Sequence, residues 1–198
     1  MKYYYCNATP HEIIHPAVEK RSLTGDRTGE VGFYALTAIP AGTIILTADA
    51  LSLFELDGRD DLEGMRDWAE FLVGKLSLNT LSELYPRTLS QARTLPILGQ
   101  NDQSERIVDA LEAHSSTLLE DQCTKFIQES LLFHKLVANA FSYTEKYMCI
   151  YQTPSIFNHS PNSNIGTTTN GKRMVFHAKR AILEGEELTI NYGNELYQ

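Results

Sequence analysis

The sequence predicts an α+β fold in which two blocks of short strands flank a helical middle. Three observations carry this. Residues 11–55 are rich in β-branched and small residues punctuated by turn-forming clusters. Residues 60–142 carry apolar side chains at helical spacing, and residues 147–192 return to a strand pattern. Strands on both sides of a helical block point to sheets that close across an insertion.

In the first block, 12–15 reads as a strand, 24–29 as a polar turn and 31–36 as a second strand. A turn at Pro40 and Gly42 then leads into a strand over 43–46. In the middle block, 62–78 places Met65, Trp68, Ala69, Leu72 and Leu76 on one helical stripe. Residues 107–119 repeat the spacing, as do 126–141 with Phe126, Ile127, Leu131, His134 and Ala138. Pro86 and Pro96 separate the helices, and 98–104 is a polar loop. The last block contains a strand over 147–151, a polar loop over 158–166 and a turn at Gly171. Strands over 174–178 and 187–192 follow, divided by the turn at Glu184 and Gly185. No repeat or low-complexity tract is expected.

A chain of 198 residues suits a single domain over 1–198, with the insert at 56–145 between parts at 11–55 and 146–198. At 42% hydrophobic and 21% charged it has the material for a core. Its apolar runs are far shorter than the roughly 20 residues of a membrane crossing. The first residues lack the apolar stretch of a signal peptide, so the expected location is cytoplasmic or nuclear. A net charge of −8 argues against direct nucleic-acid binding. It suits a basic partner, though acidity also serves solubility alone. Cys6, Cys123 and Cys149 form no C-x-x-C pair, which argues against a disulfide framework and a thiolate zinc site.

His11-Glu-Ile-Ile-His15 spells the zinc-protease signature H-E-x-x-H. That signature needs a helix, so that both imidazoles face one metal. Pro16 biases His15 out of the helical region, and no metal site is expected.

Three segments carry chemistry. In 31–46, Gly32 allows either a close approach of backbone to a ligand or a bulge. In 155–164, Asn158, His159, Asn162 and Asn164 either tie the loop to itself or present Asn158 and His159 to a polar cofactor. In 181–193, Leu188, Ile190 and Tyr192 share a strand face, where a tyrosine is ordinarily a core residue.

In order and spacing these segments resemble the SET family of protein lysine methyltransferases over nearly the whole chain. Residues 31–46 resemble its N-terminal motif, G-x-G followed by an apolar pair, Ala and an I-x-x-G turn. Asn158-His-Ser160, with Asn164 as the final Asn, resembles N-H-S-C-x-P-N. Gly185-Glu-Glu-Leu-Thr-Ile-Asn-Tyr192 resembles G-E-E-L-T-x-x-Y almost letter for letter. Asn139-Ala-Phe141 resembles the N-x-F element of the SET-and-MYND branch and of fungal relatives.

The resemblance implies a SET fold of short strands in small sheets, with knot-like C-terminal threading and a helical insertion. It implies S-adenosylmethionine as cofactor, with Val31, Gly32, Phe33 and Tyr34 along its methionine end. Asn158 and His159 would hold its amino group and adenine, with Asn139 reaching the same moiety, and Tyr192 would be the catalytic residue of the lysine channel. The implied partner is a protein or peptide, basic and histone-like in character.

The chain departs from the pattern at Glu30, where the family has the first Gly, and at Pro161 and Ser163. It ends five residues after Gly193, so the post-SET segment is expected to be missing, leaving Tyr197 as the aromatic candidate to cover the channel. The insert holds one cysteine, so no MYND zinc module is expected. Two alternatives stand beside lysine methylation. One is a SET fold turned to a small molecule or to cofactor binding alone, and the other is an interaction module without cofactor.

Overall fold

The computed structural model describes residues 3–5, 11–23, 30–55, 140–144, 147–170 and 173–192. It also describes positions 68, 71, 72, 75–77, 80, 81, 84, 113, 122, 132 and 139. In chain order the strands are β1 (Tyr3–Tyr5), β2 (Glu12–Ile14), β3 (Val18–Ser22), β4 (Val31–Ala35), β5 (Ile44–Asp49) and β6 (Ser52–Glu55). They continue with β7 (Ala140–Thr144), β8 (Tyr147–Ile150), β9 (Asn158–His159), β10 (Ile165–Asn170), β11 (Arg173–Ala178) and β12 (Glu187–Ile190). A 3-10 turn at Thr153–Ile156 precedes β9. The expected α+β mixture of small sheets and a helical stretch is present. The expected turns at 24–29 and Gly171, the loop at 98–104, and Met65, Ala69, Phe126, Ile127, Leu131, His134, Ala138 and Tyr197 lie outside the described residues.

The chain divides into two units, Met1–Ala8 with Ser52–Gln152, and Thr9–Leu51 with Thr153–Gln198. The first unit holds the sheet β1-β6-β8-β7. Phe54 stacks on Trp68 with centroids 5.5 Å apart, and the Trp68 indole N–H donates to the buried Ser52 hydroxyl at 2.8 Å. Trp68, Leu72 and Leu76 are buried, as their spacing predicts.

The single helix expected over 62–78 is broken, however. Lys75 and Leu76 form a turn closed onto the Leu72 carbonyl. A new helical turn then starts from Ser77, whose side-chain oxygen accepts the Thr80 N–H at 3.1 Å and whose carbonyl accepts the Leu81 N–H at 3.0 Å. A serine that can cap a helix competes with continuing one. The helix expected to run through Phe141 likewise gives way to β7 at Ala140, because the Ala-Phe-Ser-Tyr-Thr stretch pairs with β8.

The second unit holds the sheets β10-β11-β5-β2 and β3-β4-β12-β9. Its core comprises Phe33, Ile39, Leu46, Phe157, Phe176, Ile182, Leu188 and Ile190, among others. The H-E-x-x-H stretch is strand, where residues four apart stand about 13 Å from each other. The Glu12 carboxylate instead accepts the Thr153 N–H at 3.1 Å and the Thr153 hydroxyl, and so fixes the start of the 3-10 turn.

Two short stretches of this unit mirror each other. Residues 35–42 and 178–185 match at Ala35 and Ala178, Ala38 and Ala181, Ile39 and Ile182, and Gly42 and Gly185. Their backbones bond reciprocally. Ile39 N–H donates to Ile182 C=O and Ile182 N–H to Ile39 C=O, both at 2.9 Å. Gly42 N–H donates to Ala178 C=O and Gly185 N–H to Ala35 C=O, both at 2.8 Å. Both glycines take left-handed backbone, with φ of 80° and 78°. Phe33 and Phe176, each two residues before a matched alanine, both pack on Phe157, at 5.0 and 5.1 Å. Four matched letters among eight are too few to read as a repeat without the pairing.

Candidate functional site

The polar loop expected over 158–166 contains two strand segments. Asn158 and His159 form β9, which runs parallel to β12 with Asn158 opposite Thr189 and His159 opposite Ile190. The chain joins these parallel neighbours through the antiparallel β10–β11 hairpin. Asn164 closes the loop. It is 2% exposed, its amide donates to Glu187 C=O at 2.8 Å and Glu186 Oε1 at 3.0 Å, and its Oδ1 accepts the Thr189 N–H at 2.9 Å. These three bonds run through one side chain and tie the loop to β12.

Glu186 anchors the other side. Its carboxylate accepts the Arg180 guanidinium at 2.6 Å and the Leu183 N–H at 2.9 Å. The Arg180 hydrogen bond is the main reason its carboxyl is held down to about 2, against an ordinary 4.5. A depressed carboxyl stabilises the fold above its ordinary value, and the contribution drains away as pH falls from about 4.5 towards 2. Glu186→Gln is therefore expected to lower Tm at pH 7 by about 2–5 °C. It should also flatten the fall of Tm with pH across that acid window, which thermal denaturation at a series of pH values checks.

Seven of the eight expected site residues belong to the second unit. Val31 C=O accepts the Asn158 amide at 3.2 Å, and that amide also donates to Glu187 Oε1 at 2.7 Å. Gly32 is paired regularly with Arg21, so it is no bulge. A Cβ at Gly32 would lie 2.7 Å from Asn158 Nδ2 and 2.9 Å from Glu187 Oε1. What comes close to its backbone is thus the Asn158–Glu187 hydrogen bond. Phe33 is 3% exposed and points into the core against Phe157. Tyr34 carries the Arg21 guanidinium 4.7 Å above its ring. Asn139 belongs to the first unit, 2% exposed at the helical position before β7.

Tyr192 departs from the core-strand reading. β12 ends at Ile190, and Tyr192 is 36% exposed. Its N–H leaves the ladder and donates to His159 Nδ1 at 3.2 Å, and the two rings meet at 5.1 Å. Its hydroxyl donates to Phe157 C=O at 2.7 Å. One residue on either side of β9's first position, the Phe157 carbonyl and the His159 ring, thus holds Tyr192 by both ends.

The residues fit a cofactor that carries an α-ammonium group. Both Asn158 N–H bonds go to protein oxygens, while its Oδ1 accepts nothing from the described residues and can take an ammonium. Sequence reasoning missed Glu187, Phe157 and Glu186. The signal for Glu187 was parity, because it stands out of phase with the buried Leu188 and Ile190 and so faces the side of the sheet that carries Asn158.

A family model described as SET domain matches residues 30–193. No curated protein matches the chain. Among solved structures, the chain is similar to the SET domain of LSMT, crystallised with lysine and AdoHcy. The identity is 11% and the TM-score 0.46, over 90% of this chain and 50% of that one. The chain thus spans half the length of that solved chain.

Proposed function

Because the chain belongs to the SET-domain family, we propose that it is an S-adenosylmethionine-dependent methyltransferase whose acceptor is a lysine side chain of a protein, in the cytosol or nucleus. The observation that carries this reading is the parallel pairing of β9 with β12. It brings Asn158, held on Val31 C=O, next to Tyr192, whose hydroxyl is seated on the carbonyl of the preceding residue, Phe157.

The bound cofactor supplies a methyl group on a positively charged sulfur. The chain's residues do the rest by holding and drying. Asn158 Oδ1 and the backbone of 31–34 take the amino-acid end. Phe157 packs between Phe33 and Phe176, which restrains the backbone that carries its carbonyl. With its proton committed to that carbonyl, the Tyr192 oxygen offers lone pairs to an amine N–H and turns the amine's own lone pair elsewhere. A lysine has an ordinary pKa of about 10.4, and loss of water around its amine on binding favours its neutral, nucleophilic form. Positioning at about 3–3.5 Å supplies much of the acceleration. The acidic balance of the chain, −8, suits a basic acceptor peptide.

Calorimetric titration with S-adenosylmethionine and a peptide array with labelled cofactor test the two parts separately. Asn158→Ala is expected to weaken cofactor binding about 5- to 150-fold, the equivalent of about 1–3 kcal/mol. No heat with the unaltered protein overturns the cofactor reading. Binding without label on any lysine peptide overturns the acceptor.

A further inference from the structure

The Asn158 carboxamide has two ends of opposite character, and only one can face a cation. Oδ1 attracts an ammonium, whereas the NH₂ group repels it. Rotation by half a turn exchanges them with almost no change of shape, so something must set the choice. Two acceptors do so here. Val31 C=O stands 3.2 Å and Glu187 Oε1 2.7 Å from Nδ2. Turned round, Oδ1 would meet a carbonyl oxygen and a carboxylate together, a contact of three acceptors with no proton between them. Glu187 makes the shorter of the two bonds and carries the charge, which makes it the stronger restraint.

The fold is built around this contact. Asn158, Gly32 and Glu187 lie on the neighbouring strands β9, β4 and β12. The hydrogen bond lies over the bare backbone of Gly32, in the space a Cβ would fill. Glu187 is partly exposed and its backbone is paired with Tyr34. Its neighbour Glu186 already serves the turn through Arg180 and Leu183. The two consecutive glutamates therefore have different tasks.

We infer that Glu187 is a positioning residue for the cofactor: its carboxylate fixes the Asn158 amide so that Oδ1 remains the acceptor for the cofactor's α-ammonium group. This rests on the proposed cofactor. Glu187 acts through Asn158.

The test compares Glu187→Gln, which keeps an acceptor oxygen, with Glu187→Met, which keeps length and loses it. By calorimetry, Glu187→Met is expected to weaken S-adenosylmethionine binding about tenfold or more, and Glu187→Gln by no more than about threefold. For an analogue of the cofactor lacking the α-amino group, Glu187→Met should change affinity by less than about twofold, since nothing is left for Oδ1 to accept. In an Asn158→Ala background the same change should add less than about twofold.

Equal affinities of the Met and unaltered proteins, equal losses with both cofactors, or fully additive losses overturn the inference. A second measurement needs no cofactor. In ¹⁵N spectra of the free protein, the Asn158 side-chain amide should exchange slowly and keep its shift in Glu187→Gln, and lose both in Glu187→Met. Amide behaviour that is the same in all three proteins overturns the inference. Retained amide behaviour with no cofactor binding by the unaltered protein would instead overturn the proposed function, and with it the role of Glu187.

Discussion

Tyr192→Phe is expected to lower turnover about 100- to 1,000-fold while cofactor affinity stays within a few-fold. The substitution removes one oxygen and leaves the rest of the arrangement. The Tyr192 N–H still reaches His159 Nδ1, and a phenyl ring still packs against the imidazole. What is lost is the hydroxyl seated on Phe157 C=O at 2.7 Å. In the proposed function that oxygen is the group offered to the acceptor amine, so its loss should fall on the chemical step. The cofactor contacts assigned to Asn158 and residues 31–34 do not include it. Stability should fall by no more than about 1 kcal/mol, because the residue is partly exposed and water can replace the bond. Labelled methyl transfer at saturating cofactor, with calorimetry alongside, checks the split. Turnover equal to that of the unaltered protein would remove Tyr192 from the reaction.

Asn164→Ala is expected to have the largest effect on stability, a loss of about 3 kcal/mol and a Tm lower by roughly 6–12 °C. Alanine deletes three hydrogen bonds at once, those to Glu186 Oε1, Glu187 C=O and Thr189 N–H, in a residue only 2% exposed. The last two leave backbone groups of β12 without the partner they had, and a buried orphan loses the full desolvation energy. Asn164→Asp should do no better, since it keeps the acceptor for Thr189 but sets a second carboxylate against Glu186. Ser163→Ala, which removes only the acceptor of a Lys179 contact at 3.2 Å, is the control and should shift Tm little. Thermal and urea denaturation of the three variants decide it. A Tm for Asn164→Ala within about 2 °C of the unaltered protein would show that the loop is held by other means.

The elements that could be read from the sequence are those with strong local signals. The strand at Val31, the turns at Gly42 and Gly185, and the apolar stripe of Trp68, Leu72 and Leu76 all follow from spacing and turn chemistry. The near-literal motifs at Asn158 and Gly185 pointed to the family. What escaped depended on distant partners. β9 looks like loop because its strand character comes from β12 alone, and two residues carry no period. The polar Thr-rich β10 follows β11's register and has no apolar alternation of its own. Ser77 reads equally well as a helix interior residue and as a cap, and the chain took the cap. Gly32 was read for what could approach its backbone. The approaching group is an amide–carboxylate pair contributed from β9 and β12, which no window around residue 32 contains.

The reciprocal bonding of residues 35–42 with 178–185 joins stretches separated by most of the chain. Neither Ile39 nor Ile182 reaches its bridge partner until the other stretch arrives, so this half of the molecule cannot assemble progressively during synthesis. The entropy lost in bringing two ends together grows only logarithmically, by about 0.6 kcal/mol for each doubling of the intervening length. By this measure, a change in the length of the segment between Leu51 and Thr153 adds little to the entropy of bringing its two ends to the same anchors.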